Sequence, residues 1–267
     1  MSSKRIATVS HAKTDSFVYV PPPQAYGATR ILVKPNLGYP YPPPVTVSMT
    51  VLGSVLRGLR RASPLARIVI MEGVADAQSA ERIFKQLGVL DILDDNMRFA
   101  DAETLIMTEY DNVSPKPARF KTMTAPTYIG EYDCCISVGT FKRTILKDQP
   151  LISASLKNLY GVFPREAYKG RSPNFRGQLH RPSVPEVLQD VYFSVGRYFH
   201  GAVVDLSHKL VSIDESPITG EPIPIGQVVW GDDVLAVDEM ACKLAGEPTP
   251  DYIQAIRALQ REMKVQS

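Results

Sequence analysis

Four short apolar runs, each closed by a polar residue and turn formers, constrain this chain more than any other feature. Ile31-Leu-Val33 ends in Lys34-Pro-Asn36, and Ile68-Val-Ile-Met71 ends in Glu72-Gly73. Cys134-Cys-Ile-Ser-Val138 runs into Gly139-Thr-Phe-Lys142, and Ala202-Val-Val204 stops at Asp205. Between and after them lie segments with helical character: Val47 to Arg61, Ala77 to Leu87, Val184 to Tyr198, Val234 to Leu244 and Asp251 to Met263. Strands that are apolar throughout are buried on both faces, which is the habit of parallel sheets covered by helices. The alternation therefore predicts an α/β fold: a central, mainly parallel sheet flanked by helices, with room for a smaller appended lobe. Thr46 or Ser48 can cap the first helix, Ser183 or Pro185 can open the third, and Asp232-Asp233 can cap the fourth. Gly73 suits a tight strand-to-helix turn, where a Cβ is unwelcome.

With 267 residues, 44% hydrophobic and 22% charged, the chain has the make-up of an ordinary globular protein with a substantial core. The expectation is one α/β domain over residues 1–267, with 1–29 as a lead-in and 142–182 as a basic functional insertion or loop region. Proline clusters at Pro21-Pro-Pro23 and Pro40 to Pro44 read as stiff connecting segments. The N-terminus lacks the apolar core of a secretory signal, and no run reaches the ~18 apolar residues of a membrane span. Cys134, Cys135 and Cys242 are an odd number without framework spacing, which predicts reduced thiols and a cytoplasmic protein. Nothing in the sequence sets the oligomeric state.

Ligands of open α/β sheets bind beyond the carboxyl ends of the strands. Lys34, Asn36, Glu72, Lys142 and Asp205 are all expected there. From Lys142 to Arg181, nine Lys or Arg face only Asp148 and Glu166, in a chain whose formal net charge is +2. Such an excess points to an anionic partner. Within it, Lys157-Asn158 and His180-Arg181 are the strongest candidates. A histidine titrates near neutrality, and Arg143 or Arg181 can grip a carboxylate or phosphate in paired hydrogen bonds. The expected catalytic set is His180, Lys34 and Glu72. The expected substrate-binding set is Asn36, Lys142, Arg143, Lys157, Asn158 and Arg181. Burial would lower a lysine's pKa and suit it to proton transfer. The acidic stretch from Gly201 to Ala241 offers Asp205, Asp233 and Asp238 as weak metal candidates. No dinucleotide fingerprint, phosphate-binding loop, zinc-helix motif, calcium loop or nucleophile elbow is present.

The segments Ile31-Leu-Val-Lys-Pro-Asn-Leu37, Pro43-Pro-Val-Thr-Val47, Ile70-Met-Glu-Gly73 and Leu156-Lys-Asn-Leu-Tyr-Gly161 occur in that order. His180, Val203-Val-Asp205 and Asp233-Val-Leu-Ala-Val-Asp238 follow. Together, over roughly residues 30 to 255, they resemble the family known as domain of unknown function 362. That resemblance implies a largely unassigned activity, and an association with iron–sulfur proteins through a ferredoxin-like cysteine module. This chain lacks the Cys-x2-Cys-x2-Cys-x3-Cys run, and three cysteines cannot supply an intramolecular four-cysteine cluster, so no such cluster is expected and no cofactor is named. The leading expectation is an enzyme acting by acid/base chemistry on an anionic small molecule, a carboxylate or phosphate. A redox or metal-binding protein related to the family's iron–sulfur members is the alternative. A ligand- or nucleic-acid-binding regulatory module, using Tyr160, Phe163, Tyr168 and Phe175 to stack on bases, is the third. The small net charge weighs against nucleic acid.

Overall fold

Leu32, Val69 and Cys135 turn to one side of the central sheet, while Ile31, Val33, Ile68, Ile70, Cys134 and Ile136 turn to the other; all are fully buried. With water excluded from both faces, these strands need no polar alternation, which is why they read as unbroken apolar runs. The computed structural model describes residues 7–75, 78–147, 149–172, 175–214 and 216–266. Ala77 and Asp148, used in the sequence argument, lie outside the described residues.

The strands are β1 (Val9–Lys13), β2 (Arg30–Pro35), β3 (Arg67–Glu72), β4 (Met97–Asp101), β5 (Met107–Asp111), β6 (Thr122–Pro126), β7 (Cys134–Leu146), β8 (Gln149–Ser153), β9 (Gly201–Val211) and β10 (Glu221–Gly231). The helices are α1 (Met49–Ala62), α2 (Ala80–Gln86), α3 (Tyr128–Glu131), α4 (Ser155–Asn158), α5 (Arg165–Tyr168), α6 (Val184–Ser194), α7 (Val234–Ala245) and α8 (Asp251–Gln266). The main sheet runs β1-β10-β9-β7-β2-β3-β4, with β8 paired to β7, and β5 with β6 makes a separate two-stranded ribbon. The core pairs β9–β7, β7–β2, β2–β3 and β3–β4 are parallel, as the sequence pattern predicted. One face is covered by α1 and α2 through Val51, Leu52, Val55, Leu56, Leu59 and Phe84. The other is covered by α6, α7 and α8 through residues such as Val187, Val191, Leu235, Ala241 and Ile256. Ser48, Ser183 and Asp233 cap α1, α6 and α7 with side-chain oxygens on backbone N–H groups. Among the described residues no helix is long and apolar enough to cross a membrane.

Two strand ends fall where expected: β2 closes at Lys34-Pro35 and β3 at Glu72. The other two do not. β7 passes through Gly139 and continues to Leu146, so Lys142 lies within a strand. Gly139 is not a terminator; a Cβ there would come within 3.1 Å of the Ala154 backbone, and the glycine lets the start of α4 cross the strand. β9 likewise runs on past Asp205, at a register shift against β7. Asp205 accepts from the Ser48 amide at 3.0 Å and so anchors the beginning of α1.

From β2 the chain crosses through α1 to β3 on one side, and later returns to β7 on the other. This reversal of direction opens a crevice at the carboxyl ends of β2 and β7.

Candidate functional site

The crevice deepens because β2 ends while β7 continues. Residues 134–138 of β7 pair with β2, and residues 142–146 pair antiparallel with β8. A cavity of about 570 Å³ lies there, lined among others by Lys34, Asn36, Glu72, Lys142, Lys157, Asn158, Arg176 and His180.

Its floor is a closed polar network. The Lys34 Nζ lies 2.6 Å from Glu72 Oε1 and donates to Pro35 O at 2.9 Å and Asn158 Oδ1 at 3.2 Å. All three N–H bonds of its ammonium are thereby used. Glu72 is equally committed, accepting from Leu37 N at 2.7 Å and Gly73 N at 3.0 Å. Asn158 donates to Lys34 O at 2.8 Å and Ser137 Oγ at 3.1 Å, locking α4 to β2 and β7. Burial pulls the Lys34 pKa down, while the Glu72 carboxylate opposes that shift. Gly161 has to be glycine: a Cβ would collide with Glu72 Oε1 and sit 2.7 Å from Lys34 Nζ.

Above the floor are two amines of a different kind. Lys142, 3% exposed, donates to Pro217 O at 3.1 Å, and Lys157 lies 5.4 Å from the centroid of the Tyr160 ring. Among the described residues neither forms an ion pair with a carboxylate. Burial, then the neighbouring Lys157 charge, brings the Lys142 pKa down to about 7. Burial brings Lys157 down to about 8. His180 stands at the rim with its ring 5.9 Å from that of Tyr160. His180 is exposed, yet the protein around the ring and then Lys157 both disfavour the imidazolium, so its pKa moves down to about 4. Two amines without a carboxylate partner among the described residues thus line one cavity, and burial disfavours the charged form of each.

Most of the predicted residues converge: Lys34, Asn36, Glu72, Lys142, Lys157, Asn158 and His180 all line the cavity. Asn36 donates to Thr140 Oγ1 at 3.0 Å, which holds the start of the loop after β2 against β7. Arg143 and Arg181 are not among the lining residues. Arg143 points off the opposite side of β7 and pairs with Glu247 at 3.4 Å, and Arg181 is exposed. The basic run is also less concentrated than its sequence density suggests. Glu103, remote in sequence, pairs with Arg165 and Arg176, and Lys169 pairs with Glu166. Three of the four candidate stacking aromatics, Tyr160, Phe163 and Tyr168, are buried, so no base-stacking platform is presented. Among the described residues no three His, Cys, Asp or Glu side chains come together as a metal site. Asp205, Asp233 and Asp238 serve instead as separate anchors for backbone amides. Cys134 and Cys135 project to opposite faces of the sheet, and all three thiols are buried, with Cys134 and Cys242 pushed up to about 12. These residues do not fit a thiolate cluster within one chain.

Two residues have roles the sequence reading did not give them: Arg176, counted there only within the basic run, and Asp238, taken there as a weak metal candidate. Arg176 is buried against the cavity, donating to Gly73 O at 3.0 Å and to Phe163 O, and is held by Glu103 at 2.8 Å. Asp238, fully buried in α7, accepts from Ser155 N at 2.8 Å and Leu156 N at 3.0 Å, so it fixes the one-turn helix carrying Lys157 and Asn158. Burial raises its pKa to about 6, against the pull of those donors. An acidic residue on the inward face of an apolar helix was the signal available for Asp238.

The fold and crevice define an α/β protein with a cavity at a topological switch point, floored by a Lys–Glu–Asn network. The chain belongs to the family described as Domain of unknown function (DUF362), whose model matches residues 31–243. No curated protein matches the sequence. Among solved structures, it is similar in fold to the lactate racemase apoprotein from Thermoanaerobacterium thermosaccharolyticum, with a TM-score of 0.51 and 14% identity. The match covers 82% of this chain and 49% of that one, so this chain spans about half the length of its structural relative.

Proposed function

We propose that the protein is an enzyme that binds an anionic small molecule, a carboxylate or phosphate, in the cavity between Lys142 and Lys157 and moves a proton on it. The observation that carries this reading is that buried Lys142 and half-buried Lys157 line one cavity with no carboxylate partner among the described residues. Burying such groups destabilises the empty protein, and an anion between them would relieve that cost. The division of labour follows from the surroundings: Lys142 is buried beside the Lys157 charge, which disfavours its ammonium, while Lys157 is only half-buried and has the Tyr160 ring beside its amine. Near pH 7.5, Lys157, at about 8, is mostly ammonium and balances the anion. Lys142, at about 7, is mostly free amine and accepts the proton from substrate. Lys34 and Glu72, each with its hydrogen-bonding groups already committed, hold the floor and position Asn158. Neutral His180 at the rim can pass a proton to and from solvent. The structural relative's name, lactate racemase, belongs to an enzyme of a small carboxylate, and the reading made here shares that substrate class without resting on the likeness.

The test is carbon–hydrogen exchange in deuterated water, followed by proton NMR, over a panel of carboxylates and phosphorylated compounds. A substrate should lose its exchangeable C–H signal with the wild type, and at least a hundredfold more slowly with Lys142→Met. Exchange of the same rate in both proteins would remove Lys142 from the chemistry.

A further inference from the structure

The β7–β8 hairpin grades from cationic to apolar along one face. Its register places Lys142 opposite Ser153 and Thr144 opposite Leu151, with Leu146 beyond them toward the turn. All five line the cavity, whereas the alternating residues Arg143, Ile145 and Ile152 do not. Lys142 and Ser153 stand at the inner end beside α4, which carries Lys157. Leu146 lies four residues further out, about 13 Å away at the usual rise of an extended strand. The loop between β9 and β10 runs alongside: Ile145 N donates to Asp214 O at 3.0 Å, and Ile218 adds a further apolar side chain to the wall. A small anion would occupy only the inner end of a cavity of this volume. Among the described residues the wall beyond it is mainly apolar, Leu146, Leu151, Pro217 and Ile218 with the hydroxyls of Thr144 and Ser216, and it presents no charged side chain.

We infer that the ligand is amphiphilic: a carboxylate head held by Lys142 and Lys157, with an apolar chain or ring extending along Thr144 and Leu151 to Leu146 and Ile218. This rests on the anion reading above and adds the shape and chemistry of the remainder of the ligand. A hydrophilic body such as a sugar would have only Thr144 and Ser216 to bond with and would leave its other hydroxyls facing Leu146, Leu151 and Ile218, a costly arrangement. Methylene groups laid there leave water and gain affinity with each addition.

Isothermal titration calorimetry with the straight-chain acids acetate, butanoate, hexanoate and octanoate separates head from tail. Wild-type affinity should rise about three- to fourfold for each added methylene through hexanoate. Leu146→Ser should lower the octanoate-to-acetate affinity ratio at least tenfold. Ile218→Ser, on a loop, should do the same and serves where Leu146→Ser fails to fold. Lys142→Met should weaken every acid by a similar factor and leave the ratio as it was. A flat chain-length series with Lys142-dependent binding would overturn the amphiphilic ligand while leaving the anion site standing. A rising series indifferent to Lys142→Met and Lys157→Met would overturn the head assignment, and this inference with it.

Discussion

Lys34 and Lys142 are both buried lysines in one cavity, and their surroundings give them opposite consequences for stability. Lys34 is matched by Glu72 at 2.6 Å, with neither side chain open to water. Removing the carboxylate leaves a buried charge unopposed, so Glu72→Gln should destabilise the protein by about 3–5 kcal/mol in urea denaturation. Among the described residues Lys142 has no such partner, and its folded pKa of about 7 lies below the ordinary value of 10.5. Between those values the unfolded chain holds more protons than the folded one, so this residue makes stability rise with pH from about 7 to 10.5. Below pH 7 the penalty is present in full. Lys142→Met should therefore stabilise the ligand-free protein by about 1–3 kcal/mol at pH 7. That advantage should shrink as the pH approaches 10. A variant no more stable than wild type at pH 7 would mean that the amine is not desolvated.

At the scale of elements, the functional positions depend on how short segments are pinned. Helix α4 is a single turn and cannot hold itself together; nucleating a turn costs more than its few hydrogen bonds return. Asp238 supplies the missing restraint through the Ser155 and Leu156 amides. Asp238→Ala should cost about 1–3 kcal/mol and speed amide exchange at Ser155 and Leu156, with the anion bound more weakly through Lys157. Unchanged exchange there would deny Asp238 this role. The same elements show what the sequence could disclose. β2 and β3 were legible because unbroken apolar runs met Pro35 and Gly73, and the strand-end rule then delivered Lys34 and Glu72. The lengths of β7 and β9 were not, because Gly139 and Asp205 look like terminators but serve a chain crossing and a bulge. β10 was missed for a related reason. Pro222 and Pro224 speak against a strand, yet they fall on the part of β10 that β1 does not pair with, where an edge tolerates a missing N–H. Arg181 and Lys157 are alike in composition and neighbourhood; only the three-dimensional path separates an exposed arginine from a lysine in the cavity wall.

For the molecule as a whole, the decisive quantity is how charge is distributed rather than its sum. The basic run from Lys142 to Arg181 is largely dispersed or answered by Glu103, Glu166 and Glu247. Among the described residues, the lysines of the cavity left without a carboxylate partner are Lys142 and Lys157, placed where the order of β-strands reverses. The likeness to a solved structure supports this architecture, while the polar groups at the crevice carry the functional reading. The most direct measurement is the calorimetric affinity of hexanoate, whose own charge is constant above neutral pH, at pH 6.5 and pH 9.5. The comparison is between wild type and the Lys142→Met/Lys157→Met double variant. Deprotonation of amines with pKa values of about 7 and about 8 should weaken wild-type binding at least tenfold over that range. The folded double variant should bind at least thirtyfold more weakly at pH 6.5 and show no such dependence. Equal affinity of the two proteins at pH 6.5, or wild-type binding indifferent to pH, would contradict an anion site between these lysines.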